Sequence, residues 1–175
     1  MEDFDHEQAI VKISNQLKDK IKEHGFVVMG VSNFATYSLG LSLKPETPFE
    51  FVVDTTSAKL GTIVINELVR RVKEGETFEE GKAYESTILK LAKSYDPKEG
   101  ASNIKTKFMV VKVAPWVMFR TVTFWWGDLS NYKGLETCYL VILTDEDNVL
   151  PMEKEGYKKD DFVEMFFFNK ANSLD

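Results

Sequence analysis

Apolar positions near the start of the chain recur with a helical period. Ile10, Ile13, Leu17 and Ile21 stand three, four and four residues apart, while Lys18, Asp19, Lys22 and Glu23 fall mostly off that stripe. Asp5 with Gln8 three positions on fits a capping box, and Gly25 fits a C-terminal stop. The spacing predicts a helix over 5–24 with His24 in its last turn. The pattern then shortens. Residues 26–31 (FVVMGV) are apolar and β-branched and predict a strand. A loop at 32–34 and a second strand at 35–43 complete a hairpin, with Gly40 marking a bulge or a close backbone approach. A proline-bounded loop at 44–48 leads to a third strand at 49–53. Leu60, Ile63, Val64, Leu68 and Val72 predict a second helix, capped by Thr56 or Ser57 and stopped by Gly75.

The second half is less regular. Residues 76–85 read as a loop or irregular edge, 86–95 as a short helix or strand, and 96–103 as a surface turn. Residues 104–113 and 135–144 are strong strands. A turn at 145–148, a short return strand at 149–152 and an apolar segment at 162–168 follow. Between the two strong strands, Trp116, Phe119, Val122 and Trp126 fit a helix, and Val117, Phe119, Thr121, Thr123 and Trp125 fit a strand equally well. The order predicts one α+β domain over 1–175. Its sheet is mixed or mainly antiparallel, with two to three helices packed on one face.

Composition narrows the function classes. The 175 residues suit one sizeable core, and the net charge of −6 argues against sequence-independent nucleic-acid binding. A basic strip of Lys105, Lys107, Lys112 and Arg120 runs without an acid through it. Thirteen phenylalanines raise the aromatic content, as an aromatic core or a ligand pocket would. The single cysteine, Cys138, cannot form an internal disulfide and reads as a small buried hydrophobe. The acidic, polar start is not a signal peptide, and no apolar run reaches the roughly 18 residues of a membrane span. These features predict a cytoplasmic protein, or one in the host cytoplasm if it is viral.

Standard catalytic and metal motifs are missing: no phosphate-binding glycine loop, no dinucleotide fingerprint, no HExxH, no cysteine pair and no GxSxG. No cofactor or metal is expected. The candidate ligand-binding residues are His24, Tyr37, Ser38, Glu50, Arg120 and Trp126. His24 either caps the first helix or acts at a site. Tyr37 and Ser38 point to opposite faces of a regular strand, so only one of them reaches Glu50 unless Gly40 breaks the pleat. Glu50 interrupts an apolar strand and is either solvent-facing or held by buried donors. Arg120 with Trp125 and Trp126 offers a phosphate fork and a stacking face, or a packed aromatic core. Asp145, Glu146 and Asp147 lack calcium-loop spacing and read as a solvated turn.

His24-Gly25-Phe26, then Tyr37-Ser38-Leu39-Gly40-Leu41, then Pro48-Phe49-Glu50 form an ordered set. So do Thr144-Asp145 and Leu150-Pro151-Met152-Glu153 further on. The set resembles a bacterial and phage domain family of unassigned function, marked by HGW, YT-x-GL, PE, PD and PWE elements. Phe26 stands for its Trp, Ser38 for its Thr, and Phe49 is inserted between Pro and Glu. The resemblance spans roughly residues 17–157 and implies a helix at 115–126. It supplies candidate positions and no chemistry. The leading expectation is a non-enzymatic binder of a small anionic ligand, such as a nucleotide or nucleotide-derived signal, of the phage counter-defence or bacterial sensor type. One alternative is an interaction module working through an apolar sheet edge near 162–168, with a homodimer formed there. The other is a small hydrolase or transferase using His24.

Overall fold

The computed structural model describes residues 6–31, 35–55, 57–86, 107–114, 137–145, 147–161 and 163. Helix α1 (His6–His24) ends where the sequence requires. Gly25 takes φ 84°, and its N–H donates to the Ile21 carbonyl at 2.7 Å, closing the last turn. Strands β1 (Val27–Val31) and β2 (Ala35–Leu39) pair antiparallel over their full length. A 3-10 turn (Leu41–Leu43) follows, then strand β3 (Phe49–Val53). Helix α2 (Ala58–Lys73) is capped by Ser57, whose hydroxyl accepts from the Leu60 N–H at 3.2 Å. It ends in a Schellman arrangement at Gly75 (φ 91°), with Gly75 N–H donating to the Val72 carbonyl and Glu76 N–H to the Arg71 carbonyl. Strands β4 (Ala83–Glu85), β5 (Lys107–Val113) and β6 (Thr137–Leu143) follow.

Among the described residues six strands form one mixed sheet in the order β1-β2-β3-β6-β5-β4. Among these described strands β3 and β6 run parallel and the other neighbours antiparallel. This is the expected α+β architecture. Side chains alternate strictly between two apolar clusters. Tyr37, Leu39, Val52, Val111, Leu140 and Ile142 face α1 through Leu17 and Ile21. Phe51, Val53, Val110 and Val141 face α2 through Val64, Ile65 and Leu68. The helices therefore lie on opposite faces of the sheet, not on one. Strands β3, β5 and β6 carry buried apolar residues in both alternating sets of positions, so both of their faces have to be covered. No helix among the described residues is long and apolar enough to cross a membrane.

Two local expectations change. The second strand stops at Leu39 instead of running to 43, because Gly40 adopts φ 107° and turns the chain out of the ladder. No strand forms at 149–152; residues Pro151–Glu153 make a 3-10 turn. Pro151 has no N–H for a ladder, and the Leu150 N–H is already taken by the Glu153 carboxylate at 2.7 Å. The segments 87–106 and 115–126, residues 32–34, and all of 162–168 except Val163 lie outside the described residues. The helix-or-strand question at 115–126 and the edge proposed for a homodimer therefore lie there too.

Candidate functional site

Glu50 occupies the α1 side of β3 and is fully buried. Its Oε1 accepts from the Gly40 N–H at 2.8 Å, the Ser42 N–H at 3.0 Å and the Ser42 hydroxyl at 2.8 Å. Its Oε2 accepts from the Ser38 hydroxyl at 2.6 Å. Gly40 in the left-handed region, followed by the 3-10 turn, turns the Gly40 and Ser42 N–H groups inward into an anion-binding concavity. The protein's own carboxyl fills that concavity. A side chain at position 40 would meet Ile21 at 2.8 Å, so glycine is required there for space as well as for φ. Burial pushes the Glu50 carboxyl above the usual carboxylate range, and the bonds from Ser38, Ser42 and Gly40 pull it part of the way back.

Ser38 reaches Glu50 because the β2–β3 ladder stops early. Pairing is regular at Thr36↔Val53 and Tyr37↔Val52. At the next step the Ser38 hydroxyl accepts the Phe51 N–H at 2.8 Å. A side chain has replaced a backbone carbonyl, which lets the chain diverge into the Gly40 turn. Cys138 pairs with Glu50 across the parallel ladder and is fully buried. Burial, then the neighbouring Glu50 charge, pushes its thiol well up, which suits a core hydrophobe and not a nucleophile.

The sequence candidates therefore separate. Ser38 and Glu50 meet, but they satisfy each other and are closed to solvent. Tyr37 packs in the α1-side core, where burial pushes its hydroxyl up to about 12. His24 has a side chain 60% exposed, with Nε2 3.6 Å from Glu23 Oε2. None of the hydrogen bonds among the described residues joins His24 to Tyr37, Ser38 or Glu50. Arg120 and Trp126, with Trp125, lie outside the described residues.

A cavity of about 310 Å³ opens on the opposite side of the sheet, between the 41–47 segment and the C-terminal half of α2. Phe49, Phe51 and Leu41 form its floor, and Val69 and Val72 of α2 its wall. Phe49 stands edge-on to Phe51 and Tyr139, with centroids 5.4 Å and 5.0 Å away, so its ring is held upright. Lys44, Glu46, Thr47 and Lys73 make the polar rim. The Thr47 hydroxyl donates to the Leu41 carbonyl at 2.7 Å, tying the loop across its base. A Cβ built on Gly25 would lie 2.8 Å from Lys44 Nζ, so this ammonium sits over the C-terminal end of α1, where a cation is favoured. Lys44, Lys73 and Glu46 take part in no ion pair among the described residues.

The sequence did not single out this cavity. Its apolar residues look like ordinary core positions, and Lys44 and Lys73 are 29 residues apart in the chain. The available signal was Phe49: an aromatic at the mouth of a short strand, following a loop with a lysine. Architecture and cavity together define an α+β protein with a small amphipathic pocket. No family model, no curated protein and no solved structure matches the chain.

Proposed function

We propose that the protein is a non-enzymatic binder of a small organic monoanion whose apolar body lies on Phe49 and Phe51. The observation that carries this reading is the cavity itself: an aromatic and aliphatic floor under a rim of two cations and one anion. Its volume is at the lower end of small-molecule sites, which run from about 300 Å³. Two lysines against Glu46 leave the rim singly positive. The C-terminal end of α2 beside it carries the negative end of the helix dipole, which further disfavours a multiply charged group. A carboxylate on a flat or short-chain apolar body fits this balance better than a polyphosphate. Among the described residues no histidine, cysteine or serine lines the cavity, and the Thr47 hydroxyl is engaged with the Leu41 carbonyl.

The test is a calorimetric titration with 2-naphthoate, its uncharged analogue 2-naphthamide, and AMP. The acid is expected to bind with a dissociation constant of about 1 mM or lower, near −4 kcal/mol, and the amide much more weakly. Lys73→Gln is expected to erase the preference for the acid while leaving the amide unchanged. Equal binding of acid and amide, or tighter binding of AMP than of 2-naphthoate, would overturn the reading.

A further inference from the structure

The cavity and the Glu50 network lie on opposite faces of β3, yet they share the same backbone. Phe49 and Phe51, the floor of the cavity, flank Glu50 in the chain. Leu41, the third floor residue, lies between Gly40 and Ser42, whose N–H groups both end on Glu50 Oε1. Lys44 and Thr47 follow on the segment that leaves this turn, and the Lys44 N–H closes it on the Leu41 carbonyl at 3.0 Å. Glu50 does not line the cavity; it grips both edges of the strip of chain that does. We infer that Glu50 is the positioning residue of the ligand site, fixing Leu41 and the 41–47 segment at the distance from α2 that the ligand needs. The inference rests on the cavity being the ligand site.

The surroundings of Glu50 give this role its chemical form. The groups facing it are the Ser38 and Ser42 hydroxyls, the Gly40 and Ser42 N–H groups and, across the ladder, Cys138. No cation pairs with it among the described residues, so it is held by hydrogen-bond donors and not by an opposite charge. A glutamine has the same reach. Its oxygen accepts the three bonds now made to Oε1, and its amide donates to Ser38 Oγ, whose hydrogen can turn to the Phe51 carbonyl 3.5 Å away. An alanine leaves buried N–H and hydroxyl groups without an acceptor.

Two readouts separate this inference from the function it rests on. The first needs no ligand: amide hydrogen exchange at Gly40 and Ser42. In Glu50→Ala these two amides are expected to exchange at least about 100-fold faster, while Val110 and Val141 in the central strands keep their protection. The second is 2-naphthoate affinity, expected to fall at least about tenfold in Glu50→Ala and to return to within about threefold of the parent in Glu50→Gln. Ser42→Ala removes a single bond to Oε1. It covers the case in which Glu50→Ala does not fold, with an expected loss of affinity of about threefold or more. Slow exchange at Gly40 and Ser42 in Glu50→Ala, or parent-like affinity in Glu50→Ala or Ser42→Ala, would overturn the inference. So would failure of glutamine to restore either readout. If the parent protein does not bind 2-naphthoate, the ligand reading fails, and the exchange data alone still report whether Glu50 holds the turn.

Discussion

At the scale of single residues, the tightest constraint outside the Glu50 network is the approach of α2 to β2. A Cβ built on Gly61 would fall 2.3 Å from both Thr36 Cβ and Thr36 Oγ1. Gly61 is therefore required by space, although its place inside a helix costs about 1 kcal/mol against alanine. Thr36 lies directly beneath it, buried, with its hydroxyl lacking a hydrogen-bond partner among the described residues. Gly61→Ala is expected to lower stability by about 1–3 kcal/mol despite the better helix propensity, because neither a strand Cβ nor the helix backbone can give way cheaply. A urea denaturation midpoint equal to or above the parent's would show that the two elements separate more easily than this packing implies. Glu50 shows how far such features can be read from sequence. An acid in an otherwise apolar strand signals a partner, and Ser38 was a legible candidate. That the acid is enclosed by its own chain depends on the left-handed turn at Gly40, which a glycine permits but does not dictate.

At the scale of elements, Arg71 decides how the 74–86 segment docks. Its guanidinium makes a bidentate pair with Glu76 (Nε at 2.6 Å and Nη2 at 2.5 Å) and donates to the Glu85 carbonyl at 3.0 Å. It also lies 3.5 Å from the buried Glu67, which in turn accepts from Ser86. The rings of Phe78, Tyr84 and Phe108 surround the cation, with centroids 5.3–5.6 Å away. One side chain thus fastens α2, the following loop and edge strand β4 to β5. From the sequence Arg71 looks like one of three cations suited to a helix C-terminus, and only the packed ring cluster distinguishes it from Arg70. Arg70 pairs with Glu74 at the surface, where such a contact contributes little. Arg71→Ala is expected to destabilise by about 2–4 kcal/mol, since it strands the buried Glu67 and empties the ring cluster. Arg71→Lys is expected to recover only part of this, because lysine cannot make the bidentate, stacked contact. Thermal unfolding of the two variants checks both expectations; a silent Arg71→Ala would reduce the cluster to a surface ornament.

For the whole molecule, the pH dependence of stability carries a signature of the Glu50 site. Most of the shifted carboxylates are held low. Glu76 is lowered chiefly by the Arg71 bonds, Asp145 by Lys154 and Glu153 by the Leu150 N–H. Such groups contribute stability above their unfolded values and lose it as pH falls. Glu50 has the opposite sign. Its folded value lies above the ordinary 4.5, so the native state holds the proton more tightly than the unfolded chain. Its contribution is complete below 4.5 and is lost as pH rises through the folded value. Glu50→Gln removes the titration. Its melting temperature, relative to the parent's, is expected to be constant below pH 4.5, to climb as pH rises above it, and then to level off. A constant difference across that range would mean that burial does not outweigh the four donors.

Local pattern was enough for the elements whose signals lie within a few residues: both long helices with their glycine stops, the β1–β2 hairpin, and the apolar strands β3, β5 and β6. These follow from periodicity, propensity and the special backbone freedom of Gly25 and Gly75. Local pattern also marked Glu50 as out of place. It could not assign the helices to faces, because an amphipathic stripe states that one side must be buried and not against what. It could not shorten β2, because the early end depends on a hydroxyl and a carboxyl twelve residues apart competing with the ladder for the same groups. The cavity was invisible for the same reason. Its floor, wall and rim come from three segments whose separate sequences are those of ordinary core and surface. Their joint shape exists only once α2 is laid across the sheet, with Gly61 against Thr36 and Glu50 holding the turn behind.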